Sequence, residues 1–171
     1  METFSAPDHR SLLYNGGERA QLESWLDYHR ETLLWKCDEL DIKQMKLRPI
    51  ATSDLSLMGL IRHMTFVEQA WFDAIFSGVD VTWHYKQPGG DGDFRNLDDC
   101  DLEQVLANYH HAINRSKECA QDHDLNELAA VIRHGNRVDL RWIYVHMIEE
   151  YARHCGHADI LRELIDGETG S

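Results

Sequence analysis

The chain is poor in the residues that would staple it, anchor it or fasten it to a polyanion. Four cysteines, Cys37, Cys100, Cys119 and Cys155, are scattered along 171 residues without a CxxC spacing. That pattern excludes a disulfide framework and reads as reduced thiols in a cytoplasmic protein. No apolar run approaches the roughly 18 residues that a membrane-spanning helix needs. The N-terminal METFSAPDHR has neither a basic region nor an apolar stretch, so no secretory signal is visible. Positive charge is scarce: 17 Lys plus Arg stand against 30 Asp plus Glu, a net charge of −13. Nucleic acids and anionic membrane surfaces are both held by neutralising phosphates with Lys and Arg, so neither is an expected partner. Proline is rarer still, at Pro7, Pro49 and Pro88 only, each where a helix would be interrupted anyway. There is no internal repeat and no low-complexity segment.

What remains is an ordinary globular composition with one excess, eleven histidines. The length predicts one domain over 1–171, with 1–15 as an N-terminal extension and 167–171 as a tail. Apolar residues recur at three- and four-residue steps in four stretches. The first runs from about Glu18 to Leu40. The second opens on the capping residues Thr52-Ser53-Asp54 and ends near Gly78. A third covers about Asp101 to Ala120, and a fourth runs from Asp139 to Ile165, where Gly167 stops it. A short helical piece over 125–132 and a turn over Gly135–Asp139 are expected between the last two. With almost no strand signal, the pattern predicts an all-α four-helix bundle. The link between the second and third long helices, residues 79–98, is too long for a hairpin; as a crossover it would leave those helices parallel.

Chemistry concentrates on the last helix, RWIYVHMIEEYARHCGHADILRELIDG. With Ile143 at zero and about 100° per residue, Leu161, Met147, Ile165, Ala158 and Leu140 fall within about 60° of it. Glu150 falls at about −20° and His154 at about +20°, inside that apolar arc. His157 and His146 lie on one flank, at about −40° and −60°. Arg153, Asp159 and Glu149 point outward. A buried carboxylate is costly unless it is paired or bound to a metal, and an i, i+4 pair can share one ligand. His63 lies on the stripe of the second helix with Leu60, Val67 and Trp71. His63, Glu150 and His154 thus form a candidate set of two nitrogens and one oxygen, suited to a borderline divalent metal with positions left open. Spacing alone leaves other readings open: a hydrogen-bonded core histidine at 63 and a structural ion pair between Glu150 and His154.

The stretches SLMGLIRHMTFVEQAWF and LRWIYVHMIEEYARHCGHADILRELIDG resemble the DinB superfamily, and within it the branch of mycothiol- or bacillithiol-dependent S-transferases. The similarity extends over nearly the whole chain. It implies a four-helix bundle with the long link already read from the pattern. It implies a divalent metal, zinc or nickel, held by His63, Glu150 and His154. Many relatives have histidine where this chain has Glu150, and a mycothiol-dependent isomerase of the family has a carboxylate there. His146 competes as a ligand or as a residue behind the ligands; His157 is a weaker candidate for the same roles. The resemblance also implies a low-molecular-weight thiol as cosubstrate, a small electrophile as its acceptor, and dimerisation, which is common among relatives. The alternatives are a non-catalytic small-molecule-binding or stress-resistance protein, and a buried polar network without metal.

Trp71, Phe72 and Trp142 are expected in the core rather than at a pocket mouth. Cys155 falls off the His/Glu face and Cys37 falls in the core, so neither is a candidate nucleophile. His110 and His111 read as a solvated pair. The PGGDGDF segment, residues 88–94, is expected as an ordinary crossover rather than a flap, and Asp91 and Asp93 as solvated acids. Arg137 and Arg141 either meet an anionic substrate or cap a neighbouring helix.

Overall fold

Unpaired N–H groups in a first helical turn need an acceptor, and the long helices begin where a side chain provides one. The structure, a computed structural model, describes residues 3–85 and 92–169. Asp139 opens the longest helix, α5 (Leu140–Asp166), by accepting from the Trp142 N–H at 2.8 Å. Asp101 does the same for α4 (Leu102–Ala120) through the Gln104 N–H. Ser56 caps α3 (Leu57–Glu68), which continues as a π-helical stretch over Gln69–Phe76. The cap therefore falls beyond the expected Thr52-Ser53-Asp54, where Ser53 instead closes a local turn onto the Leu55 N–H.

The first stretch is split. α1 spans Glu18–Trp35, a turn with Glu39 at φ 60° follows, and Asp41 and Gln44 form a reciprocal cap on the short α2 (Ile42–Lys46). Cys37 and Leu40 are buried in the turn, which is why the helical spacing seems to run on through it. The expected helix at 125–132 is absent. That segment pairs with 138–139 through Ala129 N–H to Val138 O at 2.8 Å and an antiparallel bridge between Leu128 and Asp139. Leu125 and Ala129 are buried at a four-residue spacing that mimics a helix, while Leu128, Val131 and Ile132 between and beyond them are exposed.

Side-chain pairs fix the directions of the bundle. Glu18 meets Arg141, Glu23 meets Tyr144 and Lys36 meets Asp159, so α1 and α5 run parallel. Arg62 meets Cys100, Asp73 meets Arg115 and Phe76 meets His123, so α3 and α4 also run parallel, as a long crossover requires. α3 opposes α5: Trp71 packs on Trp142 at one level and His63 on His154 at another. Leu26, Leu60, Met64, Ile143, Met147 and Leu161 are fully buried between these helices. Each such side chain contributes roughly 1.5–3 kcal/mol over its exposed state.

A charged group sits in the same core. Glu68 is fully buried and accepts from Arg30 Nε and Nη2, both at 2.8 Å, and from the Tyr151 hydroxyl at 2.8 Å. The bidentate fork and the phenol satisfy a carboxylate that would otherwise be heavily penalised. No helix of the described residues is long and apolar enough to cross a membrane.

Candidate metal centre

α3 and α5 bring the three sequence-selected residues to one point. The His63 and His154 rings lie 4.8 Å apart between centroids, inclined at 63°. Glu150, one turn before His154, places Oε2 3.5 Å from His154 Nε2. One ligand atom from each of His63, Glu150 and His154 lies within 4.8 Å of the other two, a grouping able to hold a metal ion.

Neighbours leave one nitrogen of each imidazole to face that point. His63 Nδ1 donates to Asp93 Oδ2 at 2.9 Å, which leaves Nε2 as the free lone pair. His154 Nδ1 lies 3.3 Å from His157 Nδ1, so its Nε2 faces Glu150. His154 is only 8 % exposed. Burial first, then the nearby His63, His157 and Arg153, push its pKa down to about 4, so it is neutral and able to ligate at neutral pH.

His146 occupies the next turn down α5. It stacks on Trp142, centroids 5.0 Å apart and 23° between planes, and meets the edge of Trp71 at 4.5 Å. Its Nε2 lies 3.6 Å from Glu150 Oε1 and its Nδ1 3.6 Å from Glu149 Oε2, a second grouping that shares Glu150. Burial lowers its pKa against the pull of both glutamates. His157 stands behind His154, and His146 stands beside Glu150. His63, Glu150 and His146 border a cavity of about 770 Å³, lined also by Trp71, Trp142 and the arm of residues 133–139.

Several expectations are corrected here. Asp93 is not a solvated acid: its side chain is 12 % exposed and holds His63. Arg62, next in sequence to His63, donates to Gly92 O at 2.8 Å and Arg95 O at 3.0 Å, and Phe94 packs on Gly59. Those contacts tie the end of the crossover to α3 as a 3₁₀ turn over Gly92–Phe94. Asp91 and the glycines before it lie outside the described residues. Trp71 and Phe72 are buried in the core as expected, although Trp71 also lines the cavity, whereas Trp142 is exposed at the cavity mouth. Arg141 pairs with Glu18, whereas Arg137 lines the cavity. His111 is exposed as expected, whereas His110 is half-buried on α4 and so not fully solvated. Cys155 is buried against His29 O at 3.5 Å, and burial pushes its thiol up to about 12, which fits an unreactive thiol away from the site.

A family model described as mycothiol-S-transferase matches residues 21–167, which include every residue of this site. No curated protein matches the chain. With the helical fold, the long crossover and the motif-bearing α5 all inside the matched span, this chain belongs to the DinB-like mycothiol-S-transferase family.

Proposed function

We propose that this protein is a metal-dependent thiol S-transferase in which His63, Glu150 and His154 hold one divalent ion, zinc or nickel. Mycothiol supplies the sulfur and a small electrophile accepts it. The convergence of two imidazoles and one carboxylate, with His63 and Glu150 lining an open cavity, carries this reading. That donor set suits a borderline divalent ion and leaves coordination positions free. The family supports the choice of thiol. When bound, the ion supplies positive charge that favours thiolate over thiol.

The chain's own groups do the rest. Asp93 fixes the tautomer and orientation of His63, and His157 stands in the same relation to His154. His146, half-buried and held between two indoles, accepts the thiol proton at a ring nitrogen. Trp71 and Trp142 exclude water from that side of the cavity. The sulfur lone pair forms the new C–S bond. In a substitution the leaving group departs with its electron pair; in an addition the neighbouring carbon takes the proton from His146.

The test is adduct formation by mass spectrometry, with mycothiol and a panel of a haloarene, an epoxide and an enone. The intact chain should form adduct above the uncatalysed rate. His63→Ala and His154→Ala, checked for folding by circular dichroism, should not. Full activity in either variant after loss of metal would overturn the reading.

A further inference from the structure

The arm that walls the cavity carries two arginines that the fold leaves without a carboxylate. On a chain of net charge −13, arginine ordinarily meets acid. Arg19 pairs with Glu23, Arg115 with Asp73, Arg141 with Glu18 and Arg162 with Asp166. Among the described residues, Arg133 and Arg137 have no such ion pair, and both line the cavity beside Glu150 and His146. Arg133 lies over the face of Trp71, 4.7 Å from the ring centroid, and Trp71 in turn touches His146.

Their placement is fixed by backbone. His134 and Gly135 both have positive φ, 50° and 79°, the combination a two-residue hairpin turn demands. The turn is closed by Arg133 N–H to Asn136 O at 2.9 Å and Asn136 N–H to Arg133 O at 3.0 Å. Behind it, the arm is fastened to the end of the π-helical stretch that continues α3 by Ala130 N–H to Phe76 O at 2.9 Å. The two cations flank this turn on a braced support at the cavity rim.

We propose that Arg133 and Arg137 form a carboxylate subsite, and that the electrophile taken by this site is a planar aromatic or unsaturated carboxylic acid. Guanidinium groups match the geometry of a carboxylate. The exposed Trp142, which stacks on His146 and lines the same cavity as the two arginines, offers a flat apolar surface on which a planar acceptor can lie. A local positive pair on an acidic chain also draws an anion to this rim rather than elsewhere. The inference rests on the transferase reading for the word electrophile. It assigns the carboxylate to that reactant because mycothiol, an acetylated cysteine amide-linked to a neutral sugar–inositol unit, has no anionic group except its thiolate.

Isothermal titration calorimetry of the full chain with unreactive probes tests the subsite without turnover. The probes are 3-nitrobenzoate and its neutral counterpart 3-nitrobenzamide. The benzoate should bind at least tenfold more tightly. The advantage should vanish in Arg133→Gln/Arg137→Gln, whose melting temperature should be unchanged because both side chains are exposed. Equal binding of acid and amide overturns the proposal, as does a preference that survives the double substitution. A parallel comparison of 3-mercaptopropionate with 2-mercaptoethanol locates the carboxylate. Arginine-dependent preference there, without one for the benzoate, would assign the subsite to the thiol and overturn the assignment to the electrophile. A chain that binds nitrobenzoate through these arginines yet forms no adduct would overturn the transferase reading and leave the anion subsite standing.

Discussion

His63 Nδ1 and Asp93 Oδ2 are 2.9 Å apart, and that bond joins the crossover to the face of α3 that meets α5. It places a carboxylate directly behind one of the three residues proposed to hold the metal. Such partners fix the ring tautomer and raise the basicity of the ligating nitrogen.

Asp93→Asn keeps the size of the side chain and removes its charge. Losses on removing such partners typically run about 10- to 100-fold in metal affinity. We expect a fall in that range, read by competition with a chromophoric chelator, with the helical circular dichroism unchanged. Affinity equal to that of the parent chain would show that Asp93 does not act through His63.

Gly59 reaches the same bond from the other side. A Cβ at this position would stand 2.5 Å from Cδ1 of Phe94, the residue after Asp93. Gly59→Ala should displace the 3₁₀ turn, with an overpacking penalty of roughly 1–3 kcal/mol. Chemical denaturation should report that loss and chelator competition a weaker metal site, although no ligand has changed. A variant as stable and as tightly metallated as the parent would contradict the coupling.

Acid should act on the site in a defined direction. His154 is held near a pKa of about 4 in the folded chain, chiefly by burial, against 6.5 for the free side chain. The unfolded chain therefore binds the extra proton first. The stability tied to neutral His154 is complete above about pH 6.5 and is lost as pH falls toward 4. Chelator-treated protein should show a falling melting temperature across that window, and His154→Gln should flatten this part of the profile. An identical profile in the variant would show that other groups govern it.

The legible parts of this molecule were those written in helical spacing. Glu150 and His154 point into the apolar arc of α5 because they are four residues apart, and the structure brings them together with His63. Asp93 was illegible because its role depends on Arg62 and Gly59, residues more than thirty positions away that pin its turn. The paired segment at 125–139 was misread because Leu125 and Ala129 bury at a helical interval while the backbone forms an arm. That error also hid Arg133, whose place at the cavity depends on the turn at His134 and Gly135. Glu68 drew no attention in the sequence, since nothing local shows that Arg30 and Tyr151 will meet it in the core.

The most direct test of the central claim is the metal content of the tag-free protein by elemental mass spectrometry, beside a folded His154→Ala control. One equivalent of a divalent metal in the parent chain and none in the control is the predicted result. No metal in either, even after incubation with zinc or nickel, would contradict the account and leave His63, Glu150 and His154 as a buried polar cluster.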